Sequence, residues 1–226
     1  MSESYSKETA EVLLDTKSVM FNADEPFVYT SGRISPVYVD CRRLISFPAQ
    51  RARLMDHAAR ILKEKCGDPD IVAGGETAGI PYAAYISERL NKPMVYVRKK
   101  PKGFGRMAQI EGVMDQETPN VILVEDLQTD GGSKRVFIDV LREAGAKIEH
   151  TFVVFHYGIF PQSEQNMKDM GVSLHALATL WDVMAVAKEK NYFDAKTLDA
   201  VEDFLQNPEG WAERNGKQEQ GAGSRT

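Results

Sequence analysis

Two acids, Glu125 and Asp126, stand just ahead of a Gly-Gly-Ser turn in the stretch VILVEDLQTDGGSK, Val121 to Lys134. Glycines let the backbone bend until several N–H groups point into one concavity, and a helix opening behind them adds the positive end of its dipole. Such a turn cradles a phosphate without needing a lysine. The acids repel phosphate, so they must serve something beside it: sugar hydroxyls or a divalent cation. A phosphorylated sugar meets both demands. The spacing matches neither GxxxxGK[ST] nor GxGxxG, which excludes a Walker loop and a dinucleotide fingerprint.

The second constellation is RKKPKGFGR, Arg98 to Arg106, with five cations in nine residues and Gly103 and Gly105 among them. A charge run is ordinarily a solvated face. In a chain of net charge −5, on the same rim as a phosphate loop, it reads instead as a mobile lid for a polyanion such as pyrophosphate.

Elements that position these loops can be read from the pattern. Val121 to Val124 is a short buried strand with the acids at its end, and Val136, Phe137, Val140, Leu141 and Ala144 make a helix face stopped by Gly145. The same unit precedes it: strand Ile71 to Ala73, loop 74–79, helix Ile80 to Leu90, strand Pro93 to Val97. Strands at Ile148 to Phe155 and Val172 to Thr179 follow, then two helices beyond Trp181 and a solvated tail. Alternation of this kind predicts a parallel sheet with helices on both faces, its ligands held at the carboxyl ends of the strands, where loops 74–79, 98–112 and 125–133 converge. Upstream, the spacing predicts an amphipathic helix from about Lys7 to Met20, a β-hairpin within Phe27 to Pro48 around Ser31-Gly32-Arg33, and a helix over 49–66 ended by Gly67.

Composition narrows the class. A chain of 226 residues with 42% apolar content builds a sizeable core. Its apolar runs are far short of a membrane span and its polar N-terminus lacks a signal region, so a cytoplasmic protein is expected, with neither membrane nor nucleic acid as partner. Two cysteines, Cys41 and Cys66, form no disulfide framework, and four histidines show no ligand spacing. No protein metal site is predicted.

The order strand, two acids, Thr129, two glycines, Ser133, helix resembles the phosphoribosyl pyrophosphate (PRPP) motif of the type I phosphoribosyltransferases. Together with AGGETAGIP (Ala73 to Pro81), TSGRISPVYVDCR (Thr30 to Arg42) and the basic loop, it resembles the orotate phosphoribosyltransferases more narrowly, over about Phe27 to Phe155. The resemblance implies an α/β type I phosphoribosyltransferase fold, a single domain over 1–206 with an N-terminal hood mainly within 1–48, and a polar tail over 207–226. It implies transfer of the 5-phosphoribosyl group from PRPP to orotate with Mg²⁺ carried mainly by PRPP, in a homodimer whose lid 98–112 acts in trans. Residue by residue it assigns Lys102, Asp126 and Glu125 to catalysis. Arg98, Lys99, Lys102, Glu125, Asp126, Leu127, Gln128, Thr129, Asp130, Gly131, Gly132 and Ser133 go to PRPP, and Thr129 and Tyr38 to orotate. The acids would hold the ribose hydroxyls, and Asp130 would point outward or cap the helix.

Four departures stand out. Phe104 replaces a lid histidine, Thr30 and Ala78 replace lysines, and His156-Tyr157 replaces an Asp-Arg pair whose arginine meets the orotate carboxylate. Arg33 is a candidate substitute. The departures leave two alternatives: a phosphoribosyltransferase for another base, or a PRPP-binding regulator without catalysis.

Overall fold

A computed structural model describes residues 2–29, 32, 34–103, 109–115 and 117–216. Helix α1 (Ser2–Asp15) leads into short strands β1 (Val19–Phe21), β2 (Phe27–Val28), β3 (Ile34–Ser35) and β4 (Val37–Val39), then a 3-10 turn (Cys41–Ser46) and helix α2 (Pro48–Cys66). The alternating region follows: β5 (Ile71–Gly75), α3 (Gly79–Leu90), β6 (Met94–Val97), β7 (Ile110–Glu111), β8 (Asn120–Gln128), α4 (Lys134–Glu143), β9 (Lys147–His156), α5 (Pro161–Met170) and β10 (Ser173–Thr179). Helices α6 (Leu180–Glu189), α7 (Ala195–Gln206) and α8 (Pro208–Gly216) close the described chain.

Among the described residues the main sheet has six strands in the order β10-β9-β8-β5-β6-β7. All neighbours are parallel except the edge pair β6 and β7, which is antiparallel. Strands buried on both faces carry continuous apolar runs, and alternate residues of β8 feed two separate cores. Ile122 and Val124 pack with α2, α3 and α6; Val121 and Leu123 pack with Phe137, Ile138 and Leu141 of α4 and Met167 and Met170 of α5. The chain leaves β5 toward β6 on one side and returns as β8 on the other, so strand order reverses between β5 and β8. A crevice opens outside the carboxyl ends of strands at such a reversal.

Several expectations are corrected. The first helix stops at Asp15 because Lys17 turns left-handed (φ 53) and Ser18 N–H bonds back to Leu13 O at 2.8 Å. Val19 and Met20 therefore lie in β1. Among the described residues the hairpin pairs Phe27 with Ser35 and Val28 with Ile34, while Val37 to Val39 pair with β1. Strand β8 runs through both acids to Gln128, since Leu127 and Gln128 still pair with Phe155 and His156. Helix α5 was not foreseen. Most of its residues are polar, and Ser163, Met167 and Met170 are its buried ones. Among the described residues three helices, not two, follow β10, and residues 208–216 form α8: Trp211 is 3% exposed and stands edge-on to Phe204 at 5.8 Å.

Candidate active site

The loop after β5 lies flush against the acid end of β8. A Cβ on Gly79 would meet Val124 O at 2.4 Å, and one on Gly75 would meet Phe137 and the Glu125 side chain at 2.9–3.1 Å. Only hydrogen side chains allow the two segments to approach this closely. The Glu76–Thr77 peptide is cis. Glu76 reaches across to accept the Lys99 N–H at 2.7 Å, joining this loop to the root of the basic one.

Successive side chains of a strand point to opposite faces, and the strand extends through both acids. Glu125 turns toward α4, where its carboxylate pairs with Lys134 Nζ; the lysine is 1% exposed and the glutamate 9%. Asp126 turns the other way, toward Cys41, Arg42 and Tyr82, whose titrations feel its charge. Burial raises the Asp126 pKa, the Leu127 N–H opposes that rise, and the Glu125 charge adds to it. The two acids therefore occupy different environments, one neutralised in a buried ion pair and one half-buried beside the hood. A shared task on one pair of hydroxyls does not follow from this geometry.

Beyond them the loop is fixed from behind. Gln128 is buried, its amide donating to Ser163 Oγ at 2.8 Å, and its Oε1 has no partner among the described residues. Gly131 adopts φ 77, with Met167 and Gln128 filling the space a Cβ would take. Leu127 is half-buried and Thr129, Asp130, Gly132 and Ser133 are exposed. Asn166 holds the Asp130 carbonyl at 2.9 Å. The Asp130 carboxylate does not cap α4. Its Oδ1 accepts the Gly132 N–H at 3.0 Å, so one backbone donor of the turn already has a partner. Ser133 makes no side-chain capping bond. Thr129 and Asp130 border a cavity of about 720 Å³ that also touches Tyr29, Gly32 and Glu209 of α8.

The basic loop leaves and rejoins the sheet at one point. Arg98 N–H bonds Gln109 O at 2.8 Å, and the Arg98 guanidinium lies 3.5 Å from Glu111 of β7. Arg98 thus anchors the root of the loop, whereas Lys99, Lys100 and Lys102 are exposed beyond it. Phe104, Arg106, Thr30 and Arg33 lie outside the described residues. Tyr38 is half-buried in the hood, its ring 5.4 Å from that of Phe27.

Three side chains take roles that the sequence pattern does not show. Lys134 is the first. A cation in the first turn of a helix opposes the dipole, and that mismatch was a signal to seek an acid partner on the preceding strand. The second is His156, whose Nε2 lies 2.9 Å from the same Ser163 Oγ that Gln128 contacts. The third is Tyr157, buried with its hydroxyl 3.1 Å from that of Tyr29, which itself donates to Val37 O at 2.6 Å. His156-Tyr157 therefore ties the phosphate loop and the hood to the sheet and presents no cation for a carboxylate.

Burial, with Lys134 nearby, lowers the His156 pKa from 6.5 to about 4. A chain unfolded below pH 6.5 takes up a proton that the folded one refuses, so stability is full above 6.5 and declines as pH falls toward 4. Urea midpoints should fall across that window. His156→Gln should flatten the decline, and an unaltered slope would remove His156 from its causes.

The model of the phosphoribosyl transferase domain matches residues 48–183. The orotate phosphoribosyltransferase of Roseobacter denitrificans is 54% identical over 211 residues, covering 92% of this chain and 93% of the relative. That of Dinoroseobacter shibae is 54% identical over 207 residues, with 91% of each chain covered. Among solved structures, the orotate phosphoribosyltransferase of Aeropyrum pernix superposes with a TM-score of 0.66 at 30% identity, covering 81% of this chain and 99% of its own.

Proposed function

The chain belongs to the phosphoribosyl transferase family, and from that premise we propose that it is an orotate phosphoribosyltransferase, joining orotate to the ribosyl carbon of PRPP with release of pyrophosphate in pyrimidine nucleotide synthesis. The observation that carries the reading is the strand reversal between β5 and β8, where a glycine turn and an acid-bearing strand end meet the root of a basic loop. Relatives 54% identical over nine-tenths of the chain support orotate as the base.

In the reaction a ring nitrogen of orotate attacks C1 of the ribose while the C1–O bond to pyrophosphate breaks and its electron pair leaves with the pyrophosphate. Charge builds on the leaving group and the ribosyl centre becomes oxocarbenium-like. Lys102 and Lys99 neutralise the departing anion, which stabilises charge where it develops. The amides from Thr129 to Ser133 hold the 5-phosphate, and Leu127 and Gln128 set the loop's path. Asp126, on the hood side, orients the ribose hydroxyls, and Glu125 serves by fixing Lys134 beneath the loop. Thr129 and Tyr38 border the base. Arg98 contributes by anchoring the lid.

Mg²⁺ suits this site. It prefers hard oxygen donors and keeps substrate phosphates among them, and Asp126 is the carboxylate at the strand end that lies off the Lys134 ion pair. When bound, the ion supplies further charge neutralisation on pyrophosphate. Closure of the lid excludes water, which otherwise hydrolyses PRPP. We further propose a homodimer with each lid serving its neighbour, in the cytoplasm. No helix among the described residues is long and apolar enough to cross a membrane.

Purified protein with Mg²⁺ and PRPP should consume orotate, followed by the loss of its ultraviolet absorbance. A second reading, another base, is favoured by His156-Tyr157, which presents no cation to a carboxylate. Turnover of uracil or a purine with none of orotate would put that reading in place of the first.

A further inference from the structure

A second constellation of chemistry-bearing side chains lies on the flank of the sheet, away from the strand reversal. The chain has two cysteines and four histidines, and the fold gathers one cysteine and two of the histidines in one place. Cys66, His150 and His175 each offer a ligand atom, and these three atoms lie within 4.8 Å of one another. Their numbers are too far apart for any spacing motif, so the sequence pattern gives no sign of the cluster. They arrive from three elements. Cys66 ends α2 just before Gly67 turns left-handed (φ 72). Strands β9 and β10 pair in parallel with His150 opposite Ser173 and Phe152 opposite His175, so both histidines project from one sheet face as diagonal neighbours, the face that α2 covers.

The geometry is compatible with a bound ion. His150 Nδ1 and His175 Nε2 are 3.2 Å apart, with the rings tilted by 44°. Tetrahedral zinc with metal–nitrogen bonds near 2.0 Å and a metal–sulfur bond near 2.3 Å sets its donors about 3.3 to 3.6 Å apart. The nitrogens already stand at nearly that separation, and the thiol needs to move in by no more than about 1.5 Å to reach its place, a figure set by the same bond lengths. One thiolate and two imidazoles select a borderline divalent cation over Mg²⁺ or Ca²⁺.

We propose that Cys66, His150 and His175 form a zinc-type site with a fourth position open to water. On binding, the Cys66 thiol gives up one proton to solvent. The proton shared between the two imidazoles moves to an outer ring nitrogen, leaving both rings neutral and both inner nitrogens on the metal. The ion cross-links the end of α2 to β9 and β10. His150 precedes the carboxyl end of β9 by six residues, roughly 20 Å at the rise of a strand, so the site staples the fold and takes no part in ribosyl transfer.

Untagged protein, free of PRPP and Mg²⁺, is titrated with Co²⁺. One equivalent per chain is expected, with the visible bands of a tetrahedral ion and a near-ultraviolet thiolate-to-cobalt band, both bleached by Zn²⁺. Loss of a direct ligand should weaken binding by more than the ten- to hundredfold, roughly, that loss of an outer partner costs. Cys66→Ser should therefore abolish the thiolate band, and His175→Gln, at a half-buried position, gives the same reading should the serine variant not fold. Absence of a thiolate band in the unaltered protein, or its survival in His175→Gln with unchanged affinity, overturns the site.

Discussion

Lys134→Met is expected to destabilise the protein by about 3 to 5 kcal/mol, the range for breaking a buried ion pair from one side. The lysine is 1% exposed and its partner Glu125 9%, so the single variant strands a largely buried carboxylate without its partner. Replacing both charges removes that penalty. Lys134→Met with Glu125→Gln should recover most of the loss, because a methionine of similar length fills the lysine's space and a neutral amide costs far less to bury. Equilibrium urea unfolding of both variants and the parent measures the difference. A single variant within about 1 kcal/mol of the parent would mean that the pair is solvated, as exposed pairs are. The site has its own stake in the outcome, since the pair lies directly beneath the phosphate turn and Lys134 helps keep Asp126 charged.

Lys102→Ala should lower kcat by about 10² to 10³-fold, the usual effect of removing one group that stabilises developing charge. Its stability should stay within about 0.5 kcal/mol, as for other exposed positions away from packing. Asp126→Asn should be comparably impaired through the ribose. Mixing the two variants under conditions that exchange subunits tests where the lysine acts. If each lid serves the neighbouring site, a mixed dimer carries one doubly altered site and one intact site. About a quarter of the parent activity then returns in an equal mixture, because half the dimers of a two-fold assembly are mixed. With a lid serving its own subunit every site is damaged, and no activity beyond that of the two variants appears. A monomeric mass by light scattering at assay concentration would exclude the neighbour arrangement outright.

The features that were legible in the sequence are those written in short-range pattern. Helix α2 shows Leu54, Met55, Ala58, Ile61 and Leu62 buried as its spacing predicts, and the parallel order of β5, β6, β8, β9 and β10 follows from alternation of element types. The strand ends were misjudged at charges. Val121 to Val124 marks the apolar part of β8, yet pairing continues to Gln128 because Lys134 neutralises Glu125 from a neighbouring helix. Strand limits hid the opposite facing of the two acids for the same reason. Pairing of β1 with β4 brings Val19 to Val39 past a nearer candidate, a choice made by the core beneath and not by local propensity. Trp211 was lost among polar neighbours, since a single aromatic has no period. Cys66, His150 and His175 meet only in three dimensions.

Asp130 furnishes the phosphate turn with an anion of its own. Its carboxylate rests on the Gly132 N–H at 3.0 Å, so on the proposed reading a 5-phosphate arriving on PRPP would displace a tenant, and the same phosphate departing on the nucleotide would be replaced by it. Affinity for both would then be lowered by one internal competitor whose effective concentration is fixed by a single side-chain rotation. Where product departure limits the rate, a returning carboxylate would shorten the stay of the nucleotide, and the chain would gain speed from a residue that weakens its grip.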